Sequence, residues 1–151
     1  MTAQLLSLKC PNCGGMLELT ARADLFKCAH CRHLALLRWA DAAAATPDVS
    51  RFEEKRAWKA NLLRPGATLN WQGGDLRLSD RELAFVPHGV NFGPIERAVL
   101  PLRDVASMAL TKGILSDELT LTDVRGERWG VRVFRGAEVQ AAVEAARTVA
   151  P

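Results

Sequence analysis

Two short cysteine motifs decide the fold of the N-terminal part: residues 10–13 read CPNC and residues 28–31 read CAHC. They contain all four cysteines of the 151-residue chain, and fourteen residues separate the two pairs. This spacing is typical of zinc sites. Each pair forms a tight loop whose two sulfurs point at one centre, and two loops together supply a tetrahedral sulfur site. We therefore predict a structural Zn²⁺ ion bound by Cys10, Cys13, Cys28 and Cys31.

Other chemistries also use cysteine pairs. Two disulfides need an oxidising compartment, and residues 1–9 have neither the leading basic region nor the long apolar core of a secretory signal. A redox motif uses one pair and needs no second. An iron–sulfur centre also takes four cysteines and stays open, because spacing alone does not separate it from zinc. His30 and His33 are alternative ligands, but four cysteines already complete the coordination.

A metal with four protein ligands has no position left for a reactive water, so the predicted ion is structural rather than catalytic. Residues 16–20 and 25–27 alternate in polarity and predict a hairpin, and residues 34–39 predict a third strand. With its C-P-x-C-G motif, the stretch from about residue 8 to residue 39 resembles the zinc-ribbon family. The resemblance implies a small β fold held by zinc over residues 1–40. It implies no single function, because zinc ribbons bind nucleic acids or proteins or serve a purely structural role.

Residues 41–65 predict a linker with a short basic helix. An alanine run ends in Thr46-Pro47, and residues 50–53 (SRFE) match a helix capping box. The predicted helix runs from Arg51 to about Leu63 and carries four candidate ligands for a polyanion, which are Arg51, Lys55, Arg56 and Lys59. Glu53 and Glu54 dilute this charge, which favours the alternative of a bridging helix that packs on the next domain.

Residues 66–151 predict a β domain closed by one helix. Seven short alternating runs separated by turn residues indicate a barrel or sandwich; they cover residues 68–71, 76–78, 82–86, 97–100, 105–110, 118–122 and 128–134. Residues 137–149 place small aliphatic side chains on one helical face, which we expect to pack on the sheet. The predicted fold class is mainly β with some α (α+β).

The order of seven strands and a final helix, with LRLSDRELAFV at 76–86 and LPLRDV at 100–105, resembles the GRAM branch of the pleckstrin-homology-like (PH-like) fold. The resemblance covers about residues 66–150. It implies a small curved barrel capped by the C-terminal helix, with membrane lipids or proteins as the usual ligands. Phosphoinositide-binding members carry cations in the loop between their first two strands. Residues 72–75 (QGGD), which we expect in that loop, carry none.

A second loop, over residues 87–94, has the length and composition of a functional loop. It predicts a partner-binding site, for which we select four side chains: His88, Val90, Asn91 and Phe92. The opposite interpretation is that the apolar ones fold back to plug the mouth of the barrel.

Charge and motifs narrow the function classes. The net charge is only +3, and residues 67–151 carry ten basic and eleven acidic residues. This is not the balance of a protein held to nucleic acid mainly through phosphates. We find no catalytic motif, no phosphate-binding glycine loop and no apolar run of membrane-spanning length. We therefore predict a non-enzymatic cytoplasmic adaptor that binds a protein or a membrane surface, with peripheral membrane attachment allowed and no small-molecule substrate. The alternative is a nucleic-acid-binding protein that uses the ribbon and the basic helix. Edge strands also allow a homo-oligomer.

Overall fold

The computed structural model describes residues 6–63, 72–88, 94–95 and 99–149. Strands dominate it, and one α-helix closes the chain. The elements are, in chain order, β1 (Leu6–Lys9), β2 (Met16–Leu19), β3 (Leu25–Lys27), β4 (Leu34–Arg38), β5 (Asp48–Arg51), β6 (Arg56–Leu63), β7 (Gln72–Leu78), β8 (Glu82–Pro87), β9 (Pro94–Ile95), β10 (Val99–Pro101), a 3-10 turn (Leu102–Asp104), β11 (Val105–Thr111), β12 (Asp117–Asp123), β13 (Arg128–Val133) and α1 (Gly136–Val149).

The chain divides into two compact units. The first, here called the cysteine unit, contains Met1–Glu53 and Gly89–Ala98. The second, the sheet unit, contains Glu54–His88 and Val99–Pro151. Among the described residues no helix is long and apolar enough to cross a membrane.

The cysteine unit is built from two hairpins, and each turn holds one cysteine motif. Strand β1 pairs with β2, and β3 pairs with β4 within a four-stranded sheet of order β5-β4-β3-β9. The predicted hairpin of residues 16–20 with 25–27 is therefore wrong, because each of these strands pairs across a cysteine loop instead. The small core beneath the loops combines Leu17, Phe26 and Leu37 with Cys10 and Cys28.

The sheet unit is one antiparallel sheet of seven strands, with the order β10-β8-β7-β6-β13-β12-β11. The β6–β13 pair joins the first four strands to the last three. The sheet ends at β10 and β11, and no pairing in the described part of the chain closes it, so the predicted barrel or sandwich is corrected to one antiparallel sheet that does not close. At one of these ends β10 has three residues, and its last, Pro101, has no N–H to donate to a further strand.

The predicted helix from Arg51 to Leu63 is also wrong: Arg56–Leu63 is strand β6, and Arg51 ends β5. Along β6, Trp58, Ala60 and Leu62 are the more buried side chains, so the apolar period is two residues. The strand also lies between two partners, β7 and β13. These long-range hydrogen bonds and the buried face outweigh the local capping signal.

Most of the other strands predicted for this unit are present in the structure. Those near residues 76, 82, 97, 105, 118 and 128 are confirmed within β7, β8 and β10–β13, while the strand predicted at 68–71 lies outside the described residues. Residues 72–75, expected in a loop, belong to β7. Helix α1 packs on the sheet through Val139 and Val143, which are completely buried, as its aliphatic face predicts. Its first amide, from Gly136, donates to the Asp117 carboxylate at 3.0 Å.

Candidate metal centre

The four cysteine sulfurs converge on one point. They all lie within 4.8 Å of one another, with 3.7 Å between the sulfurs of Cys10 and Cys31 and 3.8 Å between those of Cys13 and Cys28. A zinc–sulfur bond of about 2.3 Å gives a sulfur–sulfur edge of about 3.8 Å in a regular tetrahedron. The four cysteines are therefore positioned to bind a single metal ion, with dimensions that suit zinc.

The same distances argue against disulfides and against a multinuclear cluster. A disulfide bond is about 2.05 Å long, whereas these cysteines are free thiols. In a multinuclear iron–sulfur cluster the thiolates bind different iron atoms, so they do not surround one centre at tetrahedral contact distance. The geometry thus favours one mononuclear ion.

The two cysteine loops share one backbone structure. In each, the amide four residues after the first cysteine donates to the carbonyl of that cysteine, at 2.9 Å in the first loop and 3.0 Å in the second. The amide of the first cysteine donates to the carbonyl five residues later, at 2.8 and 2.9 Å. Each loop is thus a closed turn whose backbone hydrogen bonds fix the positions of both of its sulfurs.

One position in each loop adopts the left-handed conformation. Gly14 has a φ of +74°, and the equivalent Arg32 has a φ of +65°. Arg32 is the single non-glycine residue with positive φ in the described chain. Glycine adopts this conformation without steric cost, whereas a residue with a Cβ is strained there. The second loop therefore carries backbone strain that the first avoids.

The thiols differ in acidity within this cluster. The pKa of Cys31 is lowered to about 6, first because the His33 amide donates to its sulfur and then because the Asn12 side chain does so. The pKa of Cys13 is raised to about 12: the Gly15 amide, 3.4 Å from the sulfur, favours the thiolate, but hydrogen bonds with the neighbouring thiols, that of Cys31 foremost, and partial desolvation outweigh it. Negative charge on one sulfur opposes charge on the next, so four thiolates at this spacing require a cation between them.

Polar groups around the loops support the ligands. The Nδ1 atom of His33 lies 3.1 Å from the Asn12 side-chain nitrogen and 3.3 Å from the Cys31 carbonyl, and neither His30 nor His33 joins the four-sulfur cluster in the described chain.

Elsewhere in the cysteine unit, the Arg22 guanidinium stacks 4.1 Å from the Trp39 ring centre and donates to the carbonyls of Asp41 and Ala42. The hydrogen-bonding capacity of this cation is thus used within the unit.

The four residues selected for polyanion binding are divided between the two units. Arg51 belongs to the cysteine unit, whereas Lys55, Arg56 and Lys59 belong to the sheet unit. Lys55 lies 3.5 Å from the Asp80 carboxylate. Arg56 and Lys59 are three residues apart on one strand, which places them on opposite faces of the sheet. These residues lie in strands or next to them, so the basic helix of the nucleic-acid alternative is replaced by strand structure.

Of the four residues selected for partner binding, the structure describes His88 alone; Val90, Asn91 and Phe92 lie outside the described residues. His88 Nε2 lies 3.3 Å from the Asp75 carboxylate, which also accepts a hydrogen bond from Lys59 at 2.6 Å. Burial opposes ionisation of Asp75, but these two hydrogen bonds prevail and lower its pKa. Lys59 and His88, which were predicted to bind different partners, therefore meet at one carboxylate.

Sequence reasoning missed a group of exposed apolar side chains, which we call the apolar tip: Ile114, Leu115 and Phe134. Ile114 is fully exposed, Leu115 is 85% exposed and Phe134 is 77% exposed. Ile114 and Leu115 form the turn between β11 and β12, and Phe134 follows Val133, which pairs with Asp117 at the same end of the sheet. The signal available in the sequence was an apolar pair directly after Gly113, in a turn otherwise built from polar residues.

Comparison with models of known protein families finds no match for this chain, and comparison with curated protein sequences finds no relative.

Proposed function

We propose that this protein is a non-enzymatic adaptor, in which a zinc-ribbon module is joined to a GRAM/PH-like domain that binds a protein surface through the apolar tip. The single observation that carries the proposal is the exposure of Ile114, Leu115 and Phe134 at one end of the sheet. Large apolar side chains clustered in solvent mark interaction sites, and aromatic residues in particular anchor protein interfaces.

The metal centre supports a structural role for the N-terminal module. The sulfur spacing suits Zn²⁺ coordinated by Cys10, Cys13, Cys28 and Cys31, and four protein ligands leave no position for a reactive water. When bound, the ion supplies cross-linking of the two hairpins rather than chemistry. Free thiols at this spacing also suit a reducing compartment, so we propose a cytoplasmic location.

The sheet unit supports the PH-like assignment through its order of elements. Seven antiparallel strands, arranged as four and then three, precede one C-terminal helix that packs on the sheet. This order agrees with the GRAM resemblance once β6 replaces the segment at 68–71 as the first strand. The connection between the first two strands then spans residues 64–71, which lie outside the described residues.

The shape and charge of the apolar tip favour a protein partner over an anionic membrane. A Cβ on Gly113 would stand 2.0 Å from the Ser116 carbonyl oxygen, so only glycine permits the tight turn that presents Ile114 and Leu115. The neighbouring cations have acidic partners: Lys112 lies 3.1 Å from Asp117, Arg132 3.5 Å from Glu118 and Arg135 3.3 Å from Glu138. An electroneutral apolar surface lacks the excess of cations that anionic lipids attract.

The test compares the full chain with the double variant I114S/L115S. The matched control is V124S, because Val124 is also exposed (64%) but lies in the turn at the other end of β12. Affinity capture from the native cell should recover a defined protein with the unmodified chain and with V124S but not with I114S/L115S. Direct binding of that purified protein should show the same order. Co-sedimentation with phosphatidylserine vesicles should show no binding that depends on the tip.

Two results would overturn the proposal. The first is a set of captured proteins that does not change when the tip is altered. The second is vesicle binding that I114S/L115S abolishes, which would assign the tip to a membrane instead.

A further inference from the structure

Strand β11 forms an unprotected edge of the seven-stranded sheet. In the described part of the chain it pairs with β12 alone, so one side of its backbone has no strand partner. Charged residues and prolines normally guard such edges against pairing with other chains. All other described edge strands contain one, namely Lys9 in β1, Glu18 in β2, Asp48 and Arg51 in β5, Pro94 in β9 and Pro101 in β10. The seven residues of β11, VASMALT, contain none.

The side chains of β11 suit a close approach by a second strand. On the core side, Met108 and Leu110 pack against the hydrophobic core but remain half-buried. On the other face, Ser107, Ala109 and Thr111 are small and exposed. A neighbouring strand would cover the remaining apolar surface of Met108 and Leu110 without a clash on the outer face.

We propose that β11 pairs with β11 of a second copy of this chain, antiparallel and related by a two-fold axis at Ala109. The stretch Ser107–Thr111 pairs with β12 without interruption, since the register shift lies between Val105 and Ser107. About Ala109, this stretch matches itself completely: Ser107 faces Thr111 of the copy, and Met108 faces Leu110. Along a strand, the N–H and C=O groups of every second residue point to the same side. Facing residues in this register are an even number of positions apart, so both members of a facing pair direct these groups to the same side of their own strand, as antiparallel pairing requires.

Charge at the two ends of the stretch favours a second copy in the antiparallel direction. Lys112 follows the stretch, and Asp104 precedes it beyond the bulge at Val105 and Ala106. Antiparallel self-pairing brings the lysine end of each strand to the aspartate end of the other, whereas parallel pairing would bring like ends together. Lys112 and Asp104 also have partners within their own chain, which are Asp117 and Arg103 respectively. Their charges therefore select the orientation of the two strands more than they add affinity.

The interface is small, because only five residues of each strand are regular. We therefore expect a dimer that dissociates in the micromolar range or above. This inference does not depend on the apolar tip, and failure of one proposal leaves the other standing, since the tip is tested by partner capture and the edge by the mass of the purified protein.

The test exploits the self-contact at Ala109. In Ala109→Lys two lysines face each other across the axis, and in Ala109→Glu two glutamates do so. The control is Thr120→Lys, which places the same charge on the same face but one strand further from the edge, because Thr120 pairs with Ala109 on β12. Sedimentation equilibrium of the full-length, metal-loaded protein measures the dimer dissociation constant of each variant, and circular dichroism checks that each is folded.

We expect a measurable dimer of the unmodified chain when its concentration is raised to roughly 1 mM. Ala109→Lys and Ala109→Glu should each raise the dissociation constant at least about tenfold, and Thr120→Lys should not. An equimolar mixture of the lysine and glutamate variants should dimerise again, because opposite charges then face each other. A monomeric unmodified chain would overturn the proposal. So would an equal effect of Thr120→Lys, or a mixture that stays monomeric.

Discussion

Gly14 allows the backbone strain of the cysteine loops to be measured. Its φ is +74°, and a Cβ added there would meet nothing within 4 Å, so Gly14→Ala alters the backbone energy alone. A residue with a Cβ costs about 1–2 kcal/mol in the left-handed conformation. Part of this is offset because alanine restricts the unfolded chain by about 0.5–1 kcal/mol relative to glycine. The net cost is about 1 kcal/mol.

This cost should appear as weaker metal binding, because folding of so small a unit is coupled to the metal. A loss of about 1 kcal/mol corresponds to about a fivefold lower affinity for Zn²⁺. Arg32, with a φ of +65°, provides the opposite change: Arg32→Gly relieves strain and should raise the affinity, by a factor reduced by the contacts that the Arg32 side chain makes.

The assay is a competition titration of zinc against a chromophoric chelator at fixed pH. Ala29→Gly is the matched control, since Ala29 is exposed in the second loop and has no positive φ. Glycine there adds freedom to the unfolded chain without relieving strain, so the affinity should fall. If Gly14→Ala and Arg32→Gly shift the affinity in the same direction, the assignment of strain to these two positions is wrong.

Three further predictions concern the stability of the two units. Chelation of the metal should collapse the amide NMR signals of residues 6–53 and leave those of β6–β8 and β10–β13 in place; loss of both sets would contradict a structural role confined to the cysteine unit. Leu119→Ala, at a completely buried position, should lower the free energy of unfolding of the sheet unit by about 2–5 kcal/mol in urea, whereas Leu115→Ala should change it by less than about 0.5 kcal/mol. Burial opposes ionisation of Asp123, but hydrogen bonds from the amides of Glu127 and Arg125 prevail and lower its pKa. Its contribution to stability is therefore present above the usual aspartate pKa and is lost as the pH falls through the lowered value. Asp123→Asn keeps an oxygen for both amides, so its unfolding free energy should fall less than that of the unmodified protein between pH 6 and pH 3; equal losses would contradict this role.

The sequence alone is sufficient to predict the metal site, because its ligands are near neighbours within two short motifs. Cys10 and Cys13 share one turn, as do Cys28 and Cys31, so only the meeting of two turns depends on tertiary structure. Most strands of the sheet unit are also predictable, since their alternation of buried and exposed side chains is regular.

The errors arise where long-range pairing decides the structure. Residues 50–53 contain a good local signal for the start of a helix, but β6 is stabilised by β13, some seventy residues further along the chain. A local pattern of polar and apolar residues cannot reveal a partner so far away in the sequence. The hairpin error has a similar cause: residues 16–20 were paired with the next predicted strand along the chain, whereas the closed cysteine loop pairs β2 with β1, a strand that the sequence analysis did not predict.

Exposure was the least predictable property. Isoleucine and leucine are usually buried, and only the tight turn at Gly113 places Ile114 and Leu115 in solvent. Conversely, Lys59 and His88 looked free in the sequence, yet both contact Asp75 from neighbouring strands. Such contacts depend on strand register, which the sequence leaves open.

The central claim is that four cysteines hold one structural zinc ion, and metal content tests it most directly. Native mass spectrometry of protein purified without added metal should show one zinc per chain, and denaturing conditions should release it and leave four free thiols. An iron-containing protein, or a metal-free protein with its cysteines paired in disulfides, would contradict the account and point to redox chemistry instead.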